Sequence, residues 1–170
     1  MSQAISFRVP QPEDGVQVHQ LVSECPPLDQ NSVYCNLLQC SHFRDTSVAV
    51  EMDGQLVGFI SGYLIPDRPD TLFIWQVAVH HQARGLGLAS RMLLEILRRP
   101  QCSRASYLET SITSDNQASW GLFQRLADRL GTTTQNSTLF DRDKHFRGQH
   151  DTETLVRIGP FTPKQVREAS

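Results

Sequence analysis

The run Gln82-Ala83-Arg84-Gly85-Leu86-Gly87 lies between an apolar segment that ends at Val79 and a helix-patterned segment that begins at Leu88. Two glycines let the backbone turn tightly and approach a ligand. The helix they open offers N–H groups without intrahelical partners and the positive end of its dipole. The chemistry implied is anion binding, most directly of a phosphate group. The run lacks the Gly-Lys-Ser/Thr of a P-loop, and no third glycine follows Gly87 as a dinucleotide fingerprint requires. Arg84 is either a phosphate partner through its guanidinium or a solvated surface arginine. Taken alone, the run fits a plain strand-to-helix connection as well as it fits a ligand loop.

Glu109 stands inside the otherwise apolar segment 105–112, where a carboxylate is costly to bury unless it is partnered. The neighbours His80 and His81 point to opposite faces if the strand continues through them, and no third ligand accompanies them, so they are expected on a loop surface. Cysteines at 25, 35, 40 and 102 form no Cys-x-x-Cys pair and read as reduced, mostly packed thiols. No metal site is expected. No Gly-x-Ser-x-Gly elbow is present, which argues against a serine hydrolase.

These residues need elements to position them. Ile5–Val9 reads as a strand, and Asp14 is placed to cap a helix with Val18, Leu21 and Val22 on one face. Pro26-Pro27 ends it, and Asn31 or Ser32 opens a second helix carrying Val33, Leu37 and Leu38. Thr46–Met52 and Leu56–Ile65 flank Asp53-Gly54 and predict an antiparallel hairpin. A turn over Pro66–Asp70 leads to a central strand, Leu72–Val79. Leu88, Met92, Leu93, Ile96 and Leu97 stripe the next helix, which stops before Pro100. Ala105–Ile112 is a strand. Ser114 or Asp115 is placed to cap a helix with Leu122, Phe123, Leu126 and Leu130 inward, stopped by Gly131. Thr132–Phe140 and Thr154–Ile158 read as strands around a charged, irregular segment 141–151. The last ten residues are expected to trail into solvent.

At 170 residues with a formal charge of −2, the chain fits one domain with a substantial core and shows no electrostatic footprint of a nucleic-acid binder. No stretch approaches membrane-spanning length, and no leader pattern opens the chain, so a cytoplasmic protein is the default expectation.

The Gln-x-x-Gly-x-Gly run directly after a strand resembles the acetyl-CoA pyrophosphate loop of the Gcn5-related N-acetyltransferases, and the alternation of strands and helices is similar to that fold over nearly the whole chain. The strings Leu28–Tyr34, His42–Ser47, Trp75–Val79, Leu108–Ile112 and Arg157–Pro160 resemble the diaminobutyrate acetyltransferases of ectoine biosynthesis within that superfamily. The resemblance implies an α/β fold with a central splayed mixed sheet flanked by helices, in a single domain. It implies acetyl transfer from acetyl-CoA to the 4-amino group of L-2,4-diaminobutyrate, and a cytoplasmic homodimer acting without metal.

The same resemblance assigns roles. Val77, Ala78 and Val79 would meet the pantetheine arm, with a main-chain N–H there as the donor to the thioester carbonyl. Gln82, Arg84, Gly85, Leu86, Gly87, Leu88 and Ala89 would hold the pyrophosphate. Asn116 would contact the cofactor or cap its helix. At Phe123, where many relatives carry a tyrosine that protonates the departing thiolate, the acid is missing, and Tyr34 is the nearest substitute unless it merely packs.

An alkylammonium with a pKa near ~10.4 needs roughly 4–5 kcal/mol to expose its lone pair at pH 7, so a proton acceptor is required. Glu109 is the leading base, with Glu153 as its rival. Asp29 would take an ammonium group, or else serve as a helix-terminus carboxylate. Trp75 would wall the pocket beside Gln76 and Thr110, or lie in the core. Asn31 would join the acceptor loop, and His150 with Glu153 would bind substrate from a lid formed by the charged segment, or be an exposed pair. Competing functions are acetylation of another small amine or a peptide N-terminus, and a non-catalytic module that binds coenzyme A.

Overall fold

The computed structural model describes residues 3–170. Its strands are β1 (Ile5–Arg8), β2 (Val48–Met52), β3 (Gln55–Ile65), β4 (Arg68–Val79), β5 (Tyr107–Ile112), β6 (Thr134–Phe140) and β7 (Glu153–Ile158). Its helices are α1 (Gly15–Ser23), α2 (Val33–Ser41), α3 (Leu88–Leu97), α4 (Gln117–Leu130) and α5 (Pro163–Glu168). The strands hydrogen-bond in the order β1-β2-β3-β4-β5-β7-β6. β2 is antiparallel to β1 and β3, β5 is parallel to β4, and β7 is antiparallel to both β5 and β6. The mixed sheet with flanking helices is the architecture read from the sequence. The chain divides into two compact units, one comprising residues up to Tyr63 with Trp75–Ser103, the other Leu64–Ile74 with Arg104–Ser170.

In the first unit, Asp53 and Gly54 both take positive φ, at 52° and 82°, as a tight turn matched to strand twist demands. α1 buries Val18, Leu21 and Val22 with Cys25, Cys40, Phe59 and Ala78. Asp14 does not cap it through its side chain. Its carboxylate instead accepts from Gln11 N–H at 2.7 Å and from Arg8 at 2.7 and 2.8 Å. The second helix is opened by Ser32, whose hydroxyl accepts from Cys35 N–H, and Asn31 lies outside it. Its expected apolar face is also corrected: Asn36, Gln39 and Cys40 are buried while Val33 is exposed. Asn36 Nδ2 donates to Gln39 Oε1 at 2.9 Å, a polar pair that the hydrophobic pattern could not show. α3 buries the whole predicted stripe.

In the second unit, β4 begins at Arg68, so the expected turn over Pro66–Asp70 is shorter than its composition suggested. Asn116, rather than Ser114 or Asp115, caps α4, accepting from Ser119 N–H at 3.2 Å, and Gly131 ends that helix at φ 65°. The last ten residues do not trail into solvent. Thr162 and Gln165 form a reciprocal cap on α5, Gln165 Nε2 donates to Leu130 O at 3.0 Å, and Phe161 and Val166 are buried. The capping box was legible as Thr-Pro-Lys-Gln.

Phe161→Ala is expected to lower the unfolding free energy by about 3 kcal/mol in urea titrations, as a buried aromatic truncation does. No change would mean that the tail is not docked.

Candidate active site

The loop over Gln82–Gly87 is built as its glycines require. Gly85 and Gly87 sit at φ 81° and 70° with nothing within 4 Å of a Cβ at either position, so conformation rather than crowding selects glycine there. The N–H groups of Gln82, Ala83 and Arg84 are consumed inside the preceding turn, by His80 Nδ1, His80 O and His81 O. The offered donors therefore begin at Gly85, which narrows the expected cradle of Gln82–Ala89. They run through Leu88, Ala89 and Ser90, ahead of the first closed turn of α3, in which Arg91 N–H bonds Gly87 O at 3.2 Å. Leu88 is buried and pins the helix start, while Leu86 is exposed at the loop tip. Arg84 Nε approaches Val79 O at 3.5 Å, a long contact that leaves its guanidinium at the exposed loop. Arrangement and charge fit a pyrophosphate.

Upstream, the parallel ladder joins Thr71–Ile74 to Tyr107–Thr110, and β4 runs on to Val79. Thr110 Oγ1 donates to Ile74 O at 3.0 Å where that ladder ends. This bond ties β4 to β5 through Thr110, whose hydroxyl oxygen keeps its lone pairs as acceptors. Beyond it, side chains alternate: Trp75 is 41% exposed while Gln76 is buried. Trp75 is thus not core. Its ring meets Phe43 edge-on at 6.4 Å and Tyr63 at 6.1 Å, and those two rings are 5.8 Å apart. Burial raises the Tyr63 hydroxyl above its ordinary pKa. On the other face Gln76 Nε2 donates to the backbone oxygen of Asp29 at 2.8 Å, so it holds the acceptor loop rather than reaching outward. That loop leaves Asp29 exposed, Asn31 half-buried and Tyr34 70% exposed.

The second unit separates the two candidate bases. Glu109 is 2% exposed, and its Oε2 and Oε1 accept from Arg68 at 2.8 and 3.0 Å. Arg157, its direct cross-strand partner, also donates to Oε2. Burial pushes the carboxyl pKa up, but hydrogen bonds and charge from Arg68 and Arg157 outweigh it and leave the group below its ordinary range. A carboxylate so engaged is a poor proton acceptor. The geometry therefore corrects the leading assignment: Glu109 is a structural ion-pair centre. Arg157 also stacks over Tyr107, 3.6 Å from the ring centroid.

Glu153, at the start of β7, lies 3.9 Å from His150 Nε2, with both side chains partly solvent-exposed. The charged segment before them is internally organised. Asp141 accepts from Asp143 and Lys144 N–H at 2.9 Å, and Phe146 packs on His150 at 4.6 Å. The sequence pairing of His150 with Glu153 is thus spatial as well. Phe123 is buried and serves the core beneath α4, while Asn116 acts as the cap.

Sequence reading missed Phe43, Tyr63, Arg68 and Arg157. The strand register brings out Arg157, which faces Glu109 across β5 and β7, while Arg68 stands in β4 ahead of its stretch paired with β5. All four cysteines are free, and burial pushes Cys40 up to about 12 and Cys102 up to about 11, which makes them poor nucleophiles. Among the described residues no cluster of three His, Cys, Asp or Glu side chains is arranged for a metal ion, and no helix is long and apolar enough to cross a membrane.

Comparison with known proteins adds identity to geometry. The model of the acetyltransferase (GNAT) family matches residues 16–127. The chain is 55% identical to the L-2,4-diaminobutyric acid acetyltransferase of Methylotuvimicrobium alcaliphilum, over 95% of this chain and 94% of the relative. It is 50% identical to the enzyme of the same name from Halomonas elongata, over 94% and 83%. It superposes with a TM-score of 0.90 and 34% identity on the diaminobutyrate acetyltransferase EctA from Paenibacillus lautus, solved with L-2,4-diaminobutyric acid and coenzyme A, covering 94% and 97% of the two chains. The ribosomal-protein-S18-alanine N-acetyltransferase of Escherichia coli, at 11% identity and a TM-score of 0.71, shares the fold.

Glu109→Gln is expected to cost about 2 kcal/mol of stability at pH 7 while leaving turnover near normal. Because the folded pKa is lowered, the ion pair's contribution is complete above the ordinary carboxylate range and is lost as pH falls through the lowered value, so the variant's stability should vary less over that acid range. A large loss of turnover with stability unchanged would restore Glu109 as the base.

Proposed function

Because the chain belongs to the L-2,4-diaminobutyric acid acetyltransferases of the GNAT family, we infer that it transfers acetyl from acetyl-CoA to the 4-amino group of L-2,4-diaminobutyrate. The products are N4-acetyl-L-2,4-diaminobutyrate and coenzyme A. The observation that carries this is the 55% identity, over nearly the full length of both chains, to a relative of that activity. The Gly85–Ser90 cradle fits the cofactor's pyrophosphate, and acetyl-CoA supplies the acetyl group as a thioester.

The roles follow from each residue's setting. Main-chain N–H groups of Val77–Val79 orient the pantetheine arm and stabilise the developing oxyanion. Trp75, steadied by Phe43 and Tyr63, walls the acceptor side with Tyr34, while Asp29 and Asn31 bind the polar ends of the diamino acid. Glu153, partly exposed beside His150, accepts the ammonium proton. With phenylalanine at 123 no dedicated acid is needed. A thiol near pKa ~8.5 is acidic enough to depart as the thiolate, which takes its proton from solvent afterwards. Family membership further supports a place in ectoine biosynthesis, a homodimer and a cytoplasmic setting.

The test is acetyl-CoA-dependent thiol release with L-2,4-diaminobutyrate beside lysine, ornithine and a short peptide, with the product identified by mass and NMR. Selective 4-acetylation is expected. A preference for peptides, or coenzyme A binding without turnover on any amine, would overturn the reading. In the same assay Glu153→Gln is expected to lower kcat about 100-fold or more, with KM for acetyl-CoA unchanged. Near-normal turnover would remove it from the mechanism.

A further inference from the structure

The sequence left His80 as a loop-surface residue, but its bonds reach the cofactor loop. We propose that His80 is a positioning residue for coenzyme A binding, holding the turn that aims the Gly85–Ser90 N–H groups. The proposal rests on the reading of that stretch as the pyrophosphate cradle.

A backbone amide can only donate, so His80 Nδ1, 3.2 Å from Gln82 N, must be the bare acceptor nitrogen. Nε2 on the other side of the ring lies 3.3 Å from Glu24 Oε2. The ring thus has one edge on the loop and the other beside Glu24, the residue that follows α1. Its main chain is tied as firmly, since His80 N–H bonds Val57 O on β3 at 2.8 Å. The ring stacks on His81 at 4.2 Å, and its side chain is only 18% exposed.

What this anchorage controls is the start of the cradle. The turn over His81–Ala83 closes through Ala83 N–H to His80 O at 2.9 Å, and Ala83 is fully buried. Arg84 leaves it extended, at φ −72° and ψ 153°, and Gly85 and Gly87 then reverse the chain into α3. With the Gln82 N–H bonded to the imidazole, the turn keeps one geometry and the next donors point outward together. Without that bond the Gln82 N–H competes for other acceptors, and the cradle must be ordered by the ligand at a cost in affinity.

Calorimetric titration with coenzyme A tests this on wild type, His80→Phe and His80→Asn, alongside KM for both substrates. Phenylalanine keeps a ring against His81 but has no acceptor. Asparagine offers an acceptor at the capping position but cannot reach Glu24. The expected result is coenzyme A affinity about fivefold weaker in His80→Phe, the size of one lost cap, with KM for acetyl-CoA raised to match. KM for the diamino acid and kcat at saturation stay unchanged, and His80→Asn returns to near wild type. Wild-type affinity in His80→Phe, no rescue by asparagine, or a parallel rise in both KM values would overturn the proposal. Failure of the wild type to bind coenzyme A would overturn the cradle reading itself, and this inference with it.

Discussion

The alternation of side chains along the last part of β4 is the constraint on which the rest depends. Because a strand sends successive residues to opposite faces, Trp75 stands among Phe43 and Tyr63 while Gln76 turns inward to grip the Asp29 backbone. The same strand ends at Val79, and its continuation through His80 becomes the glycine loop before α3. One piece of backbone thus fixes an aromatic cluster, the loop that carries Asp29 and the turn that opens toward α3. A one-residue slip would exchange the two faces.

Charge partnership, more than position in the sheet, sorts the carboxylates. Glu109 and Asp14 are both buried, and each is held ionised by arginine: Arg68 and Arg157 in one case, Arg8 in the other. Both have pKa values displaced downward, which suits cohesion and disqualifies a base. Glu153 instead sits partly in solvent beside the His150 imidazole. Two glutamates on neighbouring strands therefore have opposite surroundings.

Much of this was legible beforehand. The Asp53-Gly54 hairpin, the α3 stripe, the α4 core and the glycine loop follow from local rules, and the structure keeps all four. The misreadings share a cause, which is partners distant in sequence. A carboxylate in an apolar strand signals a buried charge but not its counter-ion, and Arg68 was hidden by a strand start taken for a turn. The buried Asn36–Gln39 pair defeats a reading by hydrophobic period, since α2 turns its amides inward. Asp14 stands at a cap position, but Arg8, across a proline-bearing turn, takes its carboxylate. At α5 the Thr162–Gln165 cap was present in the sequence, and the terminal position obscured it.

The most direct measurement of the central claim, that β4 hands over to a cradle of main-chain donors for coenzyme A, is amide-resolved NMR of the nitrogen-15-labelled protein titrated with coenzyme A. The N–H groups of Gly85–Ser90 are expected to move most, with Gln82 and Ala83 nearly still because their hydrogens are already bonded within the turn. Unmoved Gly85–Ser90 signals, with the main changes elsewhere in the chain, would contradict the account.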